Sequence, residues 1–318
     1  MNFNTVQNKK ILLSSLNWGM GHLARCIGLI NELLERKNKI TFAGNTQQIN
    51  VIHTYFPDIR CIKMEGYPFD FDENKSFAKS IWKKKWALFQ FVNTEQKFVN
   101  NLLKHEQFDL LISDHRYGFR SSKCISIFIT HQYNLPLNGF QFLFSIIHRY
   151  WIKQFDKIWI MDQFPENLAG KLSQANLNDN TEYIGWHSRF KKNKNERNPN
   201  NTSNHLSILL LSGPDLHHNL LYEYFIQNRD ETAIPLIIGS QKAIDKLTHN
   251  NTQIDMLVAD DWLKIDQLII NAHEIFSFFG YSTLMDSQYL RANFHLIPCP
   301  TQLEQIYLSK IHCKMRKQ

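Results

Sequence analysis

The chain has little of what would give it a covalent or membrane framework. Its five cysteines, Cys26, Cys61, Cys124, Cys299 and Cys313, are odd in number and form no CxxC pair. That excludes a disulfide frame and a cysteine zinc site, and reads as reduced thiols in a cytoplasmic protein. No apolar run reaches the length of about 18 residues that a membrane span needs. The nearest, 140–152, is broken by Gln141, Ser145, His148 and Arg149. The polar start MNFNTVQNKK lacks the order of a secretory signal, so the sequons at Asn200 and Asn201 read as chance matches in an Asn-rich loop. No short-period repeat is present. Charge of one sign is scarce too: 36 Lys plus Arg against 29 Asp plus Glu leave +7. That surplus suits a phosphate-bearing ligand or an anionic surface and is too small to indicate a nucleic-acid partner.

What the chain does have is length and apolar content. It runs to 318 residues, 43% of them hydrophobic, with 23 Phe and 7 Trp. At about 100–200 residues per domain this suggests two domains, each able to bury a core. Short β-rich runs alternate with helical patterns. Strands are expected at 10–16, 40–44, 59–63, 109–113, 125–130 and 157–161. Leu23, Ile27, Ile30 and Leu34 recur at the spacing of an amphipathic helix. The segment 188–205 is nearly devoid of apolar residues and reads as a basic linker. The alternation restarts after it: strands at 206–211, 234–238, 255–258, 274–278 and 294–297, helices near 216–227 and 283–291. The expected fold class is α/β. It comprises two doubly wound Rossmann-like domains, 1–187 and 206–318, facing a cleft, with ligands at the carboxyl ends of the strands.

The first strand leads into Leu16-Asn17-Trp18-Gly19-Met20-Gly21-His22. Glycines permit a tight turn, and the helix beyond presents N–H groups and a positive dipole end to an anionic or hydroxyl-rich ligand. Gly19-x-Gly21-x-x-Ala24 formally matches a dinucleotide fingerprint, but the second strand ends Ala43-Gly44-Asn45-Thr46 without the acid that fingerprint wants. His22 reads either as a surface histidine at a helix start or as a base, since a neutral imidazole accepts a hydroxyl proton near pH 7. Asp114 ends a strand, where it caps a helix, orients an acceptor or assists His22. His131 points to the same edge.

The segment NWGMGHLARCIGLINELL resembles the N-terminal loop of GT-B glycosyltransferases, especially the MurG-like enzymes with a family-28-type C-terminal domain. ISDHRYGFRS (112–121), SIFITHQ (126–132), YIGWHSRF (183–190), LLLSGPD (209–215) and GYSTLMD…IPCPTQLEQIYLS (280–309) resemble the same group, in family order over nearly the whole chain. The resemblance implies an inverting transfer of a GlcNAc-type sugar from a UDP-sugar to an acceptor hydroxyl, with His22 as base. It implies donor contacts from Gly19, Gly21, Ser212, Gly213, Gly280, Ser282 and Thr283. Asp286 would hold the ribose, and Gln302 and Gln305 would meet the sugar or phosphate. Thr283-x-x-Asp286 is equally a helix capping box. Neither cofactor nor metal is expected: Asp70-Phe71-Asp72 forms a DxD but reads as a solvated turn.

The pattern also departs from the family. Phe278-Phe279 stand where a basic residue and a serine are expected, His217-His218 replace a basic residue after the Ser-Gly-Pro turn, and the sequence stops soon after the Gln305 helix, where the family normally continues with a C-terminal crossover helix. Rival readings are therefore a sugar-nucleotide epimerase or a non-catalytic sugar-nucleotide binder, with a dehydrogenase as a minor option. Residues 76–91 interleave Trp82, Trp86, Phe89 and Phe91 with Lys83–Lys85, and 139–155 is similar. These stretches are either core aromatics with a solvated face or a surface for an anionic bilayer, where a lipid-linked or cell-envelope acceptor would be met.

Overall fold

A computed structural model describes residues 2–67, 85–136, 142–176, 180–192, 205–247 and 254–315. The DxD at Asp70 and Asp72, Trp82 and most of the expected linker lie outside these residues. Contacts divide the chain into two compact units, with the boundary between Arg189 and Phe190.

The first unit carries a seven-stranded sheet in the order β3-β2-β1-β4-β5-β6-β7. Its strands are β1 (Lys10–Ser15), β2 (Lys39–Gly44), β3 (Arg60–Lys63), β4 (Leu110–Asp114), β5 (Ile125–Thr130), β6 (Lys157–Ile160) and β7 (Thr181–Tyr183). Every pairing is parallel. The central strands are buried along almost their whole length, which is why they read as continuous apolar runs. Its helices are α1 (Met20–Glu35), α2 (Thr46–Tyr55), α3 (Lys85–Leu102) and α4 (Phe142–Ile152).

Helix α1 differs from the one-sided helix expected: every residue from Leu23 to Ile30 is buried. Two features explain this. Arg25 and Cys26 turn toward Asp114 on the sheet. Gly28 lies against the backbone of His187 and Ser188, so close that a Cβ there would sit 2.6 Å from the Ser188 carbonyl oxygen. Ser188, at the start of the expected linker, is therefore buried.

The second unit carries a five-stranded parallel sheet in the order β10-β9-β8-β11-β12. Its strands are β8 (Leu206–Leu210), β9 (Ile234–Gly239), β10 (Asp255–Val258), β11 (Glu274–Phe278) and β12 (Asn293–Ile297). Its helices are α5 (His218–Asn228), α6 (Gln241–Asp245), α7 (Trp262–Asn271), α8 (Tyr281–Asp286) and α9 (Leu303–Met315). Side chains alternate between two cores, as the two-residue period of a strand requires. Leu209, Ile237, Phe276 and Phe278 pack with Leu221 and Phe225 of α5. Ile208, Ile238 and Ile275 pack with Ile265, Ile269 and Ile270 of α7, together with Phe190. Phe278, which stands where the resembled family has a basic residue, is thus a core residue.

No helix among the described residues is long and apolar enough to cross a membrane.

Candidate functional site

In the first sheet, chain order reverses between β1 and β4. At such a switch point the two following loops diverge and leave a crevice at the carboxyl edge. The loop after β1 holds Gly19, and the end of β4 is Asp114. Gly19 has φ +80° and ψ 158°, a conformation that a side chain strongly disfavours, and it is the N-cap of α1 with no side chain capping the helix. The loop is held from below. Asn17 accepts a hydrogen bond from Tyr67 N at 2.8 Å, and a Cβ on Gly66 would collide with the Asn17 amide.

Helix α1 then delivers His22 and Arg25, three residues apart and so on one face, to the fully buried Asp114. His22 Nδ1 lies 2.9 Å from Asp114 Oδ2. Arg25 spans the carboxylate, Nε donating to Oδ2 at 3.3 Å and Nη2 donating to Oδ1. The Ser15 hydroxyl and the Cys26 thiol also point at Oδ2. Arg25 Nη1 donates to His131 Nδ1 at 2.7 Å, so the unprotonated Nδ1 of His131 is an acceptor.

Burial alone would raise the Asp114 pKa. The charges of Arg25 and then His22 outweigh it and hold the carboxyl well below the usual range. Burial and then the Arg25 charge push His22 below its ordinary value of 6.5, against the pull of Asp114. At neutral pH the pair is a carboxylate and a neutral imidazole.

One nitrogen of that imidazole has two competing partners. Arg25 Nη2 lies 2.6 Å from His22 Nδ1, and a guanidinium only donates. If Nδ1 carries the proton it donates to Asp114, and Nε2 keeps a lone pair. If Nδ1 accepts from Arg25, Nε2 carries the proton. The ionised carboxylate favours the first arrangement, and the His22 side chain is 18% exposed, enough for a ligand to reach its outer edge.

Two features of this edge escape sequence reasoning. His115 has a left-handed backbone (φ +59°), uncommon for a residue with a side chain. Its ring packs 5.1 Å from His22 and 5.8 Å from His131, and its buried Nε2 has no hydrogen-bond partner. Burial, then His22 and Arg25, lower its pKa well below 6.5, so it stays neutral. The second feature is a buried ion pair: Arg116 Nε donates to Glu95 of α3, whose other oxygen accepts from Gly118 N at 2.9 Å. Arg116 also donates to the Glu65 carbonyl at 2.8 Å. This strut fixes the loop after β4 to the elements beside it.

In the second sheet the switch lies between β8 and β11. The loops after β8, β11 and β12 share one edge. Gly213 has φ +76°, again a conformation that suits glycine, and Ser212 Oγ lies 3.2 Å from Ser277 Oγ across the switch. His218 Nε2–H donates to the Ser212 carbonyl at 3.2 Å, and His217 Nε2 lies 3.3 Å from Thr301 Oγ1. Gly280 has an ordinary φ of −74° and is the N-cap of α8, so Ser282 and Thr283 fall in its first turn. The capping box anticipated at Thr283 and Asp286 is not formed: Asp286 is the last residue of this helix and is 8% exposed.

Gln305 is also placed differently from its expected ligand role. It is buried, its Oε1 accepts from Cys299 N at 2.9 Å, and its Nε2 donates to Gln302 Oε1 at 2.5 Å. Both polar ends brace the loop, and Gln302 is the member of the pair that is only half-buried. Lys242 and Lys246 approach this edge, but both ion-pair with Asp215, at 3.1 and 2.9 Å.

No family model matches the sequence, and no curated protein matches it. Solved structures do match in shape. The Arabidopsis thaliana UGT89C1 structure complexed with UDP-L-rhamnose superposes with a TM-score of 0.65 at 9% identity, covering 98% of this chain and 84% of that one. The spinosyn rhamnosyltransferase SpnG complexed with thymidine diphosphate gives 0.61 at 11% identity, covering 96% and 84%. Acinetobacter baumannii MurG gives 0.50 at 10% identity, covering 96% and 83%. With two doubly wound parallel sheets and these likenesses over nearly its whole length, the chain has the GT-B glycosyltransferase fold.

Proposed function

We propose that this protein is a glycosyltransferase that moves a sugar, GlcNAc-type, from a UDP-sugar to an acceptor hydroxyl with inversion. The observation that carries the reading is the His22–Asp114 pair at the switch point of the first sheet. In the proposed step the acceptor hydroxyl gives its proton to His22 Nε2. Its oxygen bonds to the anomeric carbon, and the bond from that carbon to the diphosphate breaks with its electron pair leaving on the phosphate. Asp114, already ionised, stabilises the imidazolium that forms, and Arg25 holds the carboxylate in place. The buried ring of His115 packs against His22 and helps hold the imidazole in place. At the second sheet, Ser212, Gly213, Ser282, Thr283 and Gln302 would receive the donor, with oriented backbone N–H groups facing the charge on the diphosphate. Two of the structural neighbours were solved with UDP-L-rhamnose and thymidine diphosphate, which supports a nucleotide-diphosphate ligand.

Helices α3 and α4 add support for an acceptor at a membrane surface. Trp86 is 75% and Tyr150 62% exposed, Phe89, Ile146 and Ile147 are exposed with them, and Phe89 reaches Trp151 across the two helices at 6.4 Å. Peripheral contact with an anionic bilayer fits this face. It is rejected if the protein fails to pellet with anionic liposomes at low salt.

A second reading, a sugar-nucleotide binder without transfer, is favoured by one observation: residues 211–218, 279–286 and 298–305 contain no Lys or Arg. A thermal-shift panel of UDP-, GDP- and TDP-sugars followed by a hydrolysis assay on the best ligand separates the two. Stabilisation with release of free nucleotide that is lost in His22→Ala supports the enzyme. Stabilisation without release supports the binder, and no stabilisation by any sugar nucleotide defeats both.

A further inference from the structure

The amino edge of the second sheet, opposite its donor loops, carries a cluster that the transfer reaction does not use. His205 immediately precedes β8, His273 immediately precedes β11, and Asp230 lies in the turn between α5 and β9. The sheet ladder fixes them side by side: His273 N donates to Leu206 O at 3.0 Å, and Ile234 N donates to His205 O at 2.7 Å. The two imidazoles stack with centroids 3.9 Å apart and planes 32° apart. Both turn Nε2 toward one carboxylate oxygen, Asp230 Oδ2, which lies 3.1 Å from His205 and 3.5 Å from His273. The ligand atoms of all three residues lie within 4.8 Å of one another.

The surroundings orient this trio. Asp230 Oδ1 is held by Thr232 N at 2.9 Å and Thr232 Oγ1 at 2.7 Å, which leaves Oδ2 facing the histidines. Asp230 N donates to Glu274 Oε1 at 2.8 Å, and the same oxygen accepts from Ser207 Oγ at 2.7 Å. Such outer bonds aim the ligating atoms of metal sites.

We propose that His205, Asp230 and His273 bind a divalent first-row transition ion of the zinc class. Donor atoms about 2.0–2.1 Å from a tetrahedral centre stand roughly 3.3 Å apart, and the two nitrogen-to-oxygen separations straddle that length. Two imidazoles and one carboxylate suit zinc and its neighbours and select against magnesium and calcium, which prefer all-oxygen sites. The three side chains are partly exposed, so water completes the coordination. The bound ion ties together the chain entering β8, β9 and β11, the three central strands of this sheet. Its role is to stabilise the second unit, and it takes no part in sugar transfer.

The test uses the full-length, untagged chain stripped with EDTA and titrated with Zn2+ at pH 7.5 by calorimetry, with melting followed in parallel. The expected result is one site with a Kd at or below ~10 µM. A 100-fold excess over Kd should raise the Tm by roughly 5–10 °C. His205→Ala/His273→Ala should abolish both effects. Asp230→Asn, which keeps the shape of the turn, should weaken binding at least ~10-fold. Absence of saturable binding at 100 µM (about tenfold the expected Kd) overturns the assignment. So does binding that survives unchanged in the double variant, which would place the ion on the thiols or on the histidines of the first unit.

Discussion

Replacing Asp114 with Asn separates what this residue does for the fold from what it would do for the proposed reaction. The carboxylate is fully buried and accepts on both oxygens, with Arg25 itself 2% exposed. Asn keeps the shape and one acceptor but places an NH2 against groups that are themselves donors. Arg25 keeps His131 and loses its counter-charge. Breaking a buried pair in this way costs about 3–5 kcal/mol. For a unit of this size each kcal/mol is worth about 2–4 °C, so the Tm should fall by roughly 6–20 °C. The reaction suffers separately. Without a carboxylate to hold a proton on Nδ1, His22 accepts there from Arg25 or from the introduced amide, and Nε2 is no longer a base. The expected loss in turnover is about 10²–10⁴-fold. His22→Ala should match the loss in rate with a much smaller loss in Tm. Asp114→Asn with Arg25→Leu removes both buried charges, so stability should largely return while the rate does not. Calorimetric melts and a UDP-release assay measure the two quantities. A single Asp114→Asn variant melting within ~2 °C of the parent, or a double variant that recovers its rate, would refute the reasoning.

Three further outcomes follow from other parts of the structure. His148 is buried between the Tyr117 hydroxyl (2.8 Å) and the Gln132 carbonyl (3.0 Å), and burial lowers its pKa to about 4. The unfolded chain therefore binds a proton near pH 6.5 that the folded chain refuses until about pH 4. Stability should fall by up to ~3 kcal/mol across that window as pH drops, and melts of His148→Gln should show a shallower slope. Gly19→Ala and Gly213→Ala should each cost about 1–3 kcal/mol through their positive φ, whereas Gly280→Ala should change denaturant unfolding by under ~0.5 kcal/mol. Gln305→Ala should strip the Cys299 N–H of its partner and loosen the loop, raising the KM for donor with kcat nearly unchanged, as steady-state kinetics will show.

The strands were legible because buried parallel strands carry apolar runs; Ile11–Leu13 and Leu110–Ile112 are uninterrupted and fully buried. β7 was not, since Thr181–Tyr183 is three half-buried residues at a sheet edge. The helix expected near 283–291 begins at Tyr281 and ends at Asp286 because Gly280 serves as its N-cap, two positions earlier than the apolar pattern suggests. At the site, His22 and Asp114 could each be singled out by position at a strand end, but nothing local marks Arg25. A charged residue within a helix ordinarily faces water, and its burial depends on a carboxylate 89 residues away. Glu95 and Arg116 are hidden for the same reason. Gln305 misled in the opposite direction: an amide beside a ligand loop suits sugar hydroxyls, yet its hydrogen bonds close on the loop itself. The trio of His205, Asp230 and His273 spans 68 residues with no motif and exists only once three strands lie side by side.

The bare Cα of Gly28 has a consequence for how lesions in this protein should be interpreted. It sits six residues along the same helix from His22, and a Cβ there would meet first the backbone of His187 and Ser188, not the proposed catalytic pair. The Ser188 carbonyl acts as a stop against which the helix is seated. A single added methyl would lift the helix off it and tilt the far end, carrying the imidazole and guanidinium out of register with a carboxylate that remains on the sheet. Proton transfer tolerates little displacement. A mutation at a glycine with no chemistry of its own would then present, in an activity screen, as the loss of a base.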